Sequence, residues 1–597
     1  MKRFLFSRPV GNGIRGFILL SLLLMSFGYG GAQVAYAAPP TNDDFDSAKT
    51  IGGIEYHDLD VNTTEATPTS LTPVDQIDDP DNIPCPTPGD PNNVLRYGYA
   101  TLWYKYTPPE DQAISLNTLG SSYDTFLAVW TGTRGNLTLV PGTCNDDTFE
   151  SLQSETGFIG QAGTTYYIEV AQIHPNSPNP PDIGGILDFN AYITNTQILI
   201  KNTVVGSYFV PETSLLARNL LNVNNGPMAV RNIAQNQTMV SQRVISRVKV
   251  NTKFVNTSYS EMMGLPNKQL STVYWLPWYT NNTTMSSQLR IANVSTTATT
   301  IKVYIGGKLK PAFTLKPKTT VFKTYTGVNG GPVKIVGTVS TAKLVVSERV
   351  TYLVKGKPTS YSELMALPQT QLNRVYWLPR YTNNNTQNTQ LQISNVSGSA
   401  ATIRVFIRGK PMPGSPFALA RGKTQLLSYA GVDGGPVKIV STTKILVSER
   451  VTYQVNTIPV SYTEIMGLPN SQTDTTYWLP GYIQTSAVLS KLRIANLSTS
   501  RATVHIYING TQVTGSPFFV APGTSVTKSF AVNGKGPVKI VSNVKIAASV
   551  RMIYKVNGKV TSYSEMMALP NKLLDSIYWF PWYNNVNTNT QLRFALP

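Results

Sequence analysis

Four segments of about 101 residues follow one another along the last two thirds of the chain. Tyr-Trp begins at residues 274, 376, 477 and 578, and Ser-Tyr-Ser/Thr-Glu begins at residues 258, 360, 461 and 562. Gly-Pro-Val-Lys-Ile-Val begins at residues 331, 435 and 536, with a weaker counterpart at residue 226. Landmarks that recur together at one period indicate a duplicated unit rather than biased composition.

The repeated unit has the pattern of a small β-sandwich. Residues 301–305 read Ile-Lys-Val-Tyr-Ile, and the same apolar alternation returns at 403–407 and 504–508. Alternation with a period of two is typical of a half-buried strand. A period near 100 residues is too long for a solenoid repeat and fits a complete sandwich. Within each unit, Ser258-x-x-Glu261 and its counterparts fit a capping box that opens one short helical turn.

We therefore predict an all-β fold in which an acidic sandwich precedes four tandem immunoglobulin-like sandwich repeats. The predicted segments are a signal peptide 1–37, a head 38–195, and repeats 196–297, 298–399, 400–500 and 501–597. An alternative frame begins each sandwich at the Gln-Leu-Arg strand. The first unit then lacks a strand and the chain ends with a spare one, which could join molecules head to tail.

The amino terminus predicts export from the cytoplasm. Four basic residues in the first 15 precede an apolar run over 17–27 and an Ala35-Tyr36-Ala37 cleavage pattern. No later apolar run of about 20 residues follows, so we expect no transmembrane anchor after cleavage. The expected location is secreted, with a possible association with the cell surface. In that oxidising setting Cys85 and Cys144, the two cysteines of the chain, are expected to form a disulfide.

Several segments of the head share their order with a known domain. They are Asn42-Asp43-Asp44-Phe45, Leu102-Trp103-Tyr104-Lys105-Tyr106, residues 121–129 with Asp124, Cys144-Asn145-Asp146-Asp147 and Gly163-Thr164-Thr165-Tyr166-Tyr167-Ile168. By these segments the head resembles the bacterial pre-peptidase C-terminal domain, apart from an insertion at about 61–98 that carries Cys85. The resemblance implies an accessory β-sandwich module, and some members of that family bind calcium or extracellular polymers. The tail looks like repeats of large secreted bacterial surface proteins.

Calcium is the cofactor that this resemblance raises. The candidate ligands are acidic residues in turn-like segments of the head: Asp43, Asp44, Asp124, Asp146 and Asp147. A hard cation needs several oxygen atoms that converge on one point. The alternative is that these aspartates stabilise turns on an acidic surface.

The residue inventory argues against catalysis. The chain has three histidines, His57, His174 and His505, and none lies in a metalloprotease motif. No Gly-x-Ser-x-Gly motif and no phosphate-binding glycine loop occurs either. We therefore predict a protein that is not an enzyme. The alternative hypothesis is a hydrolase that uses a pair of carboxylates in the head.

Comparison of the copies separates structural positions from variable ones. An arginine and a glutamate recur in every copy, which predicts buried ion pairs. The pairs are Arg349 with Glu363, Arg450 with Glu464 and Arg551 with Glu565, and Arg243 with Glu261 is their counterpart in the first copy. The Trp of Tyr-Trp is also retained, which suits packing. Three residues later the copies read Trp278, Arg380, Gly481 and Trp582, which predicts exposure.

Charge divides the chain into an acidic region and a basic region. Residues 38–195 contain 22 Asp and Glu against 4 Lys and Arg, whereas residues 196–597 contain 10 against 42. An exported basic array predicts contact with anionic wall or matrix polysaccharide rather than with nucleic acid. We expect a structural or adhesive surface protein. The alternative is a carbohydrate-binding or targeting protein beside a separate hydrolase, in which exposed Trp278 and Trp582, beside Tyr279 and Tyr583, stack on sugar rings. Peripheral packing between neighbouring units is the favoured interpretation of these two tryptophans.

Overall fold

The structure, a computed structural model, describes residues 38–66, 98–146, 152–173, 184–220, 222–250, 253–455, 458–531 and 536–597. In these residues the chain is all-β, as predicted, with 3₁₀ turns of three residues between strands. None of the helical turns in the described part is long or apolar enough to cross a membrane. The predicted signal peptide, Cys85, Asp147 and His174 lie outside the described residues.

The head is one sandwich of two sheets. Its strands are β1 (Lys49–Thr50), β2 (Tyr56–Asn62), β3 (Gly98–Tyr106), β4 (Gln112–Asn117), β5 (Thr125–Thr133), β6 (Asn136–Leu139), β7 (Glu155–Gly160), β8 (Tyr166–Ile173) and β9 (Ile186–Ile193), with a 3₁₀ turn at Phe45–Ser47. One sheet has the order β1-β3-β8-β5-β6 and the other has the order β2-β9-β4-β7. Trp103 is buried against Phe45, with ring centroids 5.1 Å apart.

The tail contains four sandwiches, which we number in chain order. The first part of sandwich 1 is β10 (Thr196–Ile200), β11 (Thr203–Tyr208), β12 (Leu215–Arg218), β13 (Asn224–Asn225), β14 (Met228–Asn232), β15 (Met239–Val250), β16 (Lys253–Met263) and β17 (Leu265–Pro266). Sandwich 2 follows a 3₁₀ turn at Asn267–Gln269. Its strands are β18 (Val273–Leu276), β19 (Tyr279–Thr280), β20 (Met285–Asn293), β21 (Thr299–Ile305), β22 (Lys308–Leu309), β23 (Phe313–Leu315), β24 (Thr319–Lys323), β25 (Asn329–Gly330), β26 (Val333–Gly337), β27 (Leu344–Val354), β28 (Lys357–Met365) and β29 (Leu367–Pro368).

Sandwiches 3 and 4 repeat this order, and the strand after Gly-Pro runs unbroken through both sheets. Sandwich 3 follows a turn at Gln369–Gln371 and contains β30 (Asn373–Leu378), β31 (Tyr381–Thr382), β32 (Gln387–Asn395), β33 (Ala401–Ile407), β34 (Lys410–Pro411), β35 (Phe417–Leu419), β36 (Thr424–Leu427), β37 (Asp433–Gly434), β38 (Val437–Val455), β39 (Ile458–Met466) and β40 (Leu468–Pro469). Sandwich 4 follows a turn at Asn470–Gln472 and contains β41 (Asp474–Leu479), β42 (Val488–Asn496), β43 (Ala502–Ile508), β44 (Thr511–Gln512), β45 (Phe518–Val520), β46 (Ser525–Lys528), β47 (Val538–Val556), β48 (Lys559–Met567) and β49 (Leu569–Pro570). A turn at Asn571–Leu573 precedes the last strands, β50 (Ile577–Phe580), β51 (Tyr583–Asn584) and β52 (Thr588–Ala595).

The last three strands complete sandwich 1. Strand β50 pairs with β14 and β17, β51 pairs with β13, and β52 lies between β12 and β15. In sandwich 2 the same places are filled by β18, β19 and β20, which come first in that unit. In sandwiches 2, 3 and 4 the Tyr-Trp strand comes first in the chain, whereas sandwich 1 receives that strand from the carboxyl end.

This pairing corrects the predicted repeat boundaries. Divisions after 297, 399 and 500 separate the Tyr-Trp and Gln-Leu-Arg strands from the sheets in which they pair. The alternative frame correctly anticipated a spare strand at the carboxyl end. Its head-to-tail use between molecules does not occur in this structure, because β52 fills the gap in its own chain.

The four sandwiches form a closed ring. The strands nearest its centre are β16, β28, β39 and β48, which we call the hub strands, and each contacts the hub strands of two neighbours. Backbone N–H groups of one hub strand donate to serine or threonine hydroxyls of the preceding sandwich. They include the bonds of Glu363 to Ser260 at 3.4 Å, Tyr462 to Ser360 at 3.0 Å, Tyr563 to Ser461 at 3.2 Å, Glu565 to Thr463 at 3.2 Å and Tyr259 to Ser562 at 2.9 Å. The last bond joins sandwich 4 to sandwich 1 and closes the ring.

The hub explains the repeated Ser-Tyr-Ser/Thr-Glu motif and corrects its predicted role. Ser258 and Glu261 lie in a β-strand, not in a helix cap, because the strand pairs along its length with β15. The helical turn comes later, after Pro266. The small hydroxyl side chains are retained because they accept hydrogen bonds from a neighbouring strand at close range.

The retained Trp of each sandwich packs into the next core. Trp275 of sandwich 2 lies in the apolar cluster of sandwich 3, and Trp377 lies in that of sandwich 4. Trp478 packs in the core of sandwich 1, and Trp579 packs against that of sandwich 2. The predicted packing role of these residues is confirmed, and the contact they make joins successive sandwiches.

The head contacts the ring through sandwich 1. Strand β11 lies against β4 and β7 of the head. The rings of Tyr192 and Phe209 stack with centroids 4.2 Å apart, and Arg218 of β12 forms an ion pair with Glu155. The acidic head is therefore attached at one sandwich of the basic ring.

Candidate functional site

The predicted arginine–glutamate pairs lie beside the hub. Arg349 and Glu363 are 2.9 Å apart, Arg450 and Glu464 are 3.5 Å apart, and Arg551 and Glu565 are 2.9 Å apart. All three glutamates are buried, and each lies opposite its arginine in antiparallel register. In sandwich 1, Arg243 and Glu261 have the same register. Each pair therefore joins two neighbouring strands of its sandwich.

A second arginine column was missed by sequence reasoning. Arg290, Arg493 and Arg593 come from the Gln-Leu-Arg strands and reach Glu363, Glu565 and Glu261 at 3.4, 2.8 and 3.1 Å. In sandwich 3 this position is Gln392. With its amide oxygen turned toward Arg450, that oxygen accepts two hydrogen bonds from the guanidinium, at 2.8 and 2.9 Å. The signal was present in the repeat, because Arg, Gln, Arg and Arg follow Leu in the four copies.

The two arginines decide the ionisation of the glutamate between them. Burial raises the pKa of Glu363, but Arg290 and Arg349 lower it by more, and its net pKa is below the usual value. The pKa of Glu565 is lowered in the same way by Arg493 and Arg551, against the effect of burial. These carboxylates are therefore charged at neutral pH, as buried counter-ions of paired arginines must be.

Two further buried glutamates lie at the junctions between sandwiches. Burial, with a smaller contribution from the nearby Glu464, raises the pKa of Glu348 to about 8, although a hydrogen bond with Ser287 and the charge of Arg450 act to lower it. Burial and Glu565 likewise raise the pKa of Glu449 to about 8. One carboxyl oxygen of each has no hydrogen-bond partner among the described residues. The corresponding residues of sandwiches 1 and 4 are Gln242 and Val550, which carry no charge.

The predicted sugar-stacking aromatics are occupied by internal contacts. Trp278 and Trp582 are half-buried, and their indole N–H groups donate to Asn329 at 2.9 Å and Asn224 at 2.8 Å. Trp582 also packs edge-on against Phe322 of sandwich 2 at 4.7 Å. Tyr279 and Tyr583 are fully buried, so they cannot form a sugar platform beside these tryptophans.

Another aromatic surface follows from strand register. On the outward face of sandwiches 2, 3 and 4, an aromatic ring, a lysine and the retained Trp lie side by side. We call these the aromatic–lysine rows: Tyr304–Lys334–Trp275, Phe406–Lys438–Trp377 and Tyr507–Lys539–Trp478. Each lysine Nζ lies 5.0 or 5.1 Å from the Trp ring centroid. Sandwich 1 has Leu199 and Ala229 in place of the aromatic ring and the lysine.

One row ends in a cavity at the junction of sandwiches 2 and 3. The cavity has a volume of about 520 Å³ and is lined by Trp275, Lys334, Gln369, Leu372, Arg374, Val396, Ser397, Thr443 and Lys444. Three of these residues are cationic and none is acidic. The Trp275 side chain is 8% exposed, and its indole N–H has no hydrogen-bond partner among the described residues.

The structure describes four of the five head aspartates that were predicted as calcium ligands: Asp43, Asp44, Asp124 and Asp146. Asp44 accepts from the backbone of Asp46 and forms an ion pair with Arg134 at 3.2 Å, and Asp146 is buried. Within the described ranges, no three acidic, His or Cys side chains are grouped so that they could hold a metal ion. Because Asp147 and Cys85 are outside those ranges, both the calcium site and the disulfide of Cys144 stay predictions.

The two histidines that the structure describes lie in different parts of the molecule, His57 in the head and His505 in sandwich 4. His57 lies 2.7 Å from the Asn190 side-chain oxygen and edge-on to Tyr192. His505 is half-buried on β43, on the same face as Tyr507 and opposite to the buried Val504, Ile506 and Ile508. Neither histidine contacts a nucleophile or a carboxylate in the part of the chain that the structure describes.

Comparisons with known proteins leave the family undefined. No family profile and no curated protein matches the chain. Two solved structures are similar to it at 10% identity and a TM-score of 0.12. They are the M60 catalytic domain with the CBM51-1 and CBM51-2 domains from Clostridium perfringens ZmpB, covering 80% of this chain and 54% of that one, and the arabinofuranosyltransferase AftD from Mycobacteria, covering 82% and 41%. This chain spans about half or less of either structure, and likenesses at this TM-score identify no function.

Proposed function

We propose that the protein is a secreted, non-enzymatic structural or adhesive protein of the cell surface or extracellular matrix. Its basic ring binds anionic polysaccharide, and its head is an accessory module attached at sandwich 1. No nucleic acid enters this proposal, because export places the protein among wall and matrix polymers.

The observation that carries the proposal is the division of charge between the interior and exterior of the ring. Six of the ten acidic residues of 196–597 are buried, and all six are glutamates of the hub and its junctions: Glu261, Glu348, Glu363, Glu449, Glu464 and Glu565. Most of the 42 basic residues lie outside that layer. Seven arginines are buried or half-buried beside these glutamates, so the layer itself is close to neutral: Arg243, Arg290, Arg349, Arg450, Arg493, Arg551 and Arg593. The basic excess of the tail therefore lies outside the layer, which favours polyanions.

The test is retention of the whole protein on immobilised polygalacturonate at rising salt concentration. We expect binding at about 50 mM salt and release by about 1 M, because exposed charges are screened over a few ångströms at high salt. A protein that fails to bind at low salt contradicts the proposal. A triple variant, Lys308→Ala with Lys355→Ala and Lys410→Ala, removes three exposed charges that are not members of the rows and should release at moderately lower salt.

The aromatic–lysine rows support the alternative function, a carbohydrate-binding protein that targets a separate hydrolase. Tyr304, Phe406 and Tyr507 are half-exposed beside lysine, and stacking on sugar C–H faces depends little on salt. A targeting protein should therefore hold neutral polysaccharide in 1 M salt. Replacing the three aromatic residues by alanine should abolish that binding while leaving salt-sensitive binding to polygalacturonate in place.

A further inference from the structure

We infer that the cavity between sandwiches 2 and 3 binds one acidic sugar residue through its carboxylate. This inference rests on the proposed function and names the chemical unit that the ring recognises. It concerns a single junction, whereas polymer retention concerns the whole exterior of the ring.

The first argument is that this junction departs from the other three. At the others, the indole N–H of the retained Trp donates to an asparagine of the next sandwich: Trp377 to Asn470 at 2.9 Å, Trp478 to Asn571 at 2.8 Å and Trp579 to Asn267 at 2.9 Å. At the junction of sandwiches 2 and 3 the asparagine is replaced by Gln369, which is exposed. The N–H of Trp275 is left buried without an acceptor, which costs free energy unless a ligand supplies one.

The second argument is charge. At this junction the cavity-lining positions hold Lys334, Arg374 and Lys444. Between sandwiches 3 and 4 the equivalent positions hold Lys438, Thr475 and Lys545. Between sandwiches 4 and 1 they hold Lys539, Ser576 and Gln237. Between sandwiches 1 and 2 they hold Ala229, Thr272 and Lys343. Three cations without an acidic neighbour in the lining therefore occur at one junction of the four.

The third argument is the chemistry of the remaining lining. Ser397 and Thr443 supply hydroxyls, whose oxygen atoms lie 3.1 Å apart, and Leu372 and Val396 supply apolar surface. A sugar ring has hydroxyl groups and apolar C–H faces, and a carboxylate satisfies guanidinium and ammonium donors. A volume of about 520 Å³ is within the range of small-ligand sites. An acidic monosaccharide unit matches all of these groups.

The test uses calorimetry of the full chain with trigalacturonate and with maltotriose, a neutral sugar of the same length. We expect one trigalacturonate per chain and binding of maltotriose at least about tenfold weaker. Arg374→Thr installs the threonine that two of the other junctions have at this position. It should weaken the affinity for trigalacturonate about tenfold, since a charge-assisted hydrogen bond is lost. Gln369→Asn, which restores the acceptor for Trp275, should also weaken it.

Two matched variants at the next junction complete the design. Lys438→Ala removes a row lysine outside the cavity and should change the trigalacturonate affinity less than twofold. Asn470→Gln with Thr475→Arg rebuilds the cavity residues there and should raise the stoichiometry from one to two.

Equal affinity of the parent and Arg374→Thr, or equal binding of the two trisaccharides, overturns the inference. These outcomes leave the proposed function standing if the ring still retains polygalacturonate at low salt. If the unmodified protein is not retained on polygalacturonate at low salt, the proposed function itself is overturned.

Discussion

Sandwich 1 and sandwich 3 are built from corresponding strands that come from the chain in different ways. Sandwich 3 comes from one continuous stretch, with the Tyr-Trp strand β30 first. Sandwich 1 takes β50, β51 and β52 from the carboxyl end, about 350 residues away from β14 and β15. The comparison teaches that sandwich 1 is shared between two distant parts of the chain. Because these parts must pair to complete sandwich 1, its folding also closes the ring.

The largest test of this comparison removes the closing strands. A chain that ends at Ser576 lacks β50 to β52, and sandwich 1 then loses the buried residues Tyr578, Phe580, Leu592 and Phe594. We expect sandwich 1 to unfold while sandwich 3 persists, because burying each of these side chains is worth about 2 kcal/mol or more. Hydrogen exchange of β14 and β15 against β33 and β38 measures the difference.

A peptide of residues 577–597 added to the truncated chain should restore protection in β14 and β15, whereas a scrambled peptide should not. Unchanged protection of β14 and β15 in the truncated chain would show that the closing strands are dispensable.

The second test compares glutamates that have different numbers of arginine partners. Glu565→Gln removes the carboxylate that the buried Arg493 and Arg551 share as their ion-pair partner, and should cost about 3–5 kcal/mol of unfolding free energy. Glu464→Gln should cost less, because Arg450 keeps the oxygen of Gln392. Thermal unfolding of both variants measures the order.

Arg493→Gln, which copies the residue of sandwich 3, should recover part of the loss in Glu565→Gln. If the two glutamate variants unfold at the same temperature, the number of arginine partners does not set the stability of a sandwich.

The third test uses the pH dependence of Glu348. Its pKa is raised to about 8 in the folded protein, so the folded state holds the proton more tightly than the unfolded chain does. The stability that it contributes is complete below about pH 4.5 and is lost as the pH rises through about 8. Glu348→Gln should therefore stabilise the ring at pH 9 by up to a few kcal/mol and change little at pH 4.5.

The measurement is denaturant unfolding at both pH values, with the exposed Glu110→Gln as the control. The same difference between Glu348→Gln and the parent at pH 4.5 and at pH 9 would mean that the carboxyl group does not titrate across this range.

The smallest effect is expected at one hub hydrogen bond. Ser562→Ala removes the acceptor of the Tyr259 N–H and should cost about 1 kcal/mol. Ser258 is its counterpart in sandwich 1, and its hydroxyl has no hydrogen-bond partner among the described residues. Ser258→Ala should therefore be close to neutral, and equal losses in the two variants would contradict the assigned role of the hub serines.

Much of the fold could be predicted because it repeats. Alternation over 301–305 and its counterparts predicts the buried residues Ile301, Val303 and Ile305, since side chains of a strand point alternately to two faces. Retention of Arg349 and Glu363 in every copy predicts their pairing, because a buried charge needs a partner at each occurrence. The predicted repeat boundaries were wrong because periodicity gives the length of the repeated unit but does not show which strand comes first in it.

The candidate site was less predictable. Trp278 and Trp582 vary among the copies, which suggested exposure, yet Asn329 and Asn224 cover their indole N–H groups. The cavity between sandwiches 2 and 3 combines Lys334 with Arg374 and Lys444, which are 40 to 110 residues apart. Their convergence depends on how one sandwich meets the next, and no local pattern encodes that geometry.

By itself the sequence determined the repeated β-unit, its apolar interior, the recurring ion pairs and the separation of an acidic head from a basic tail. These follow from side-chain periodicity and charge, which act locally. The tertiary structure alone decided that β52 closes a ring, that serines of the hub bind the next sandwich, and that one junction opens a cationic cavity. Such features depend on hydrogen bonds and packing between distant segments, whose partners are chosen by the shape of the assembled ring.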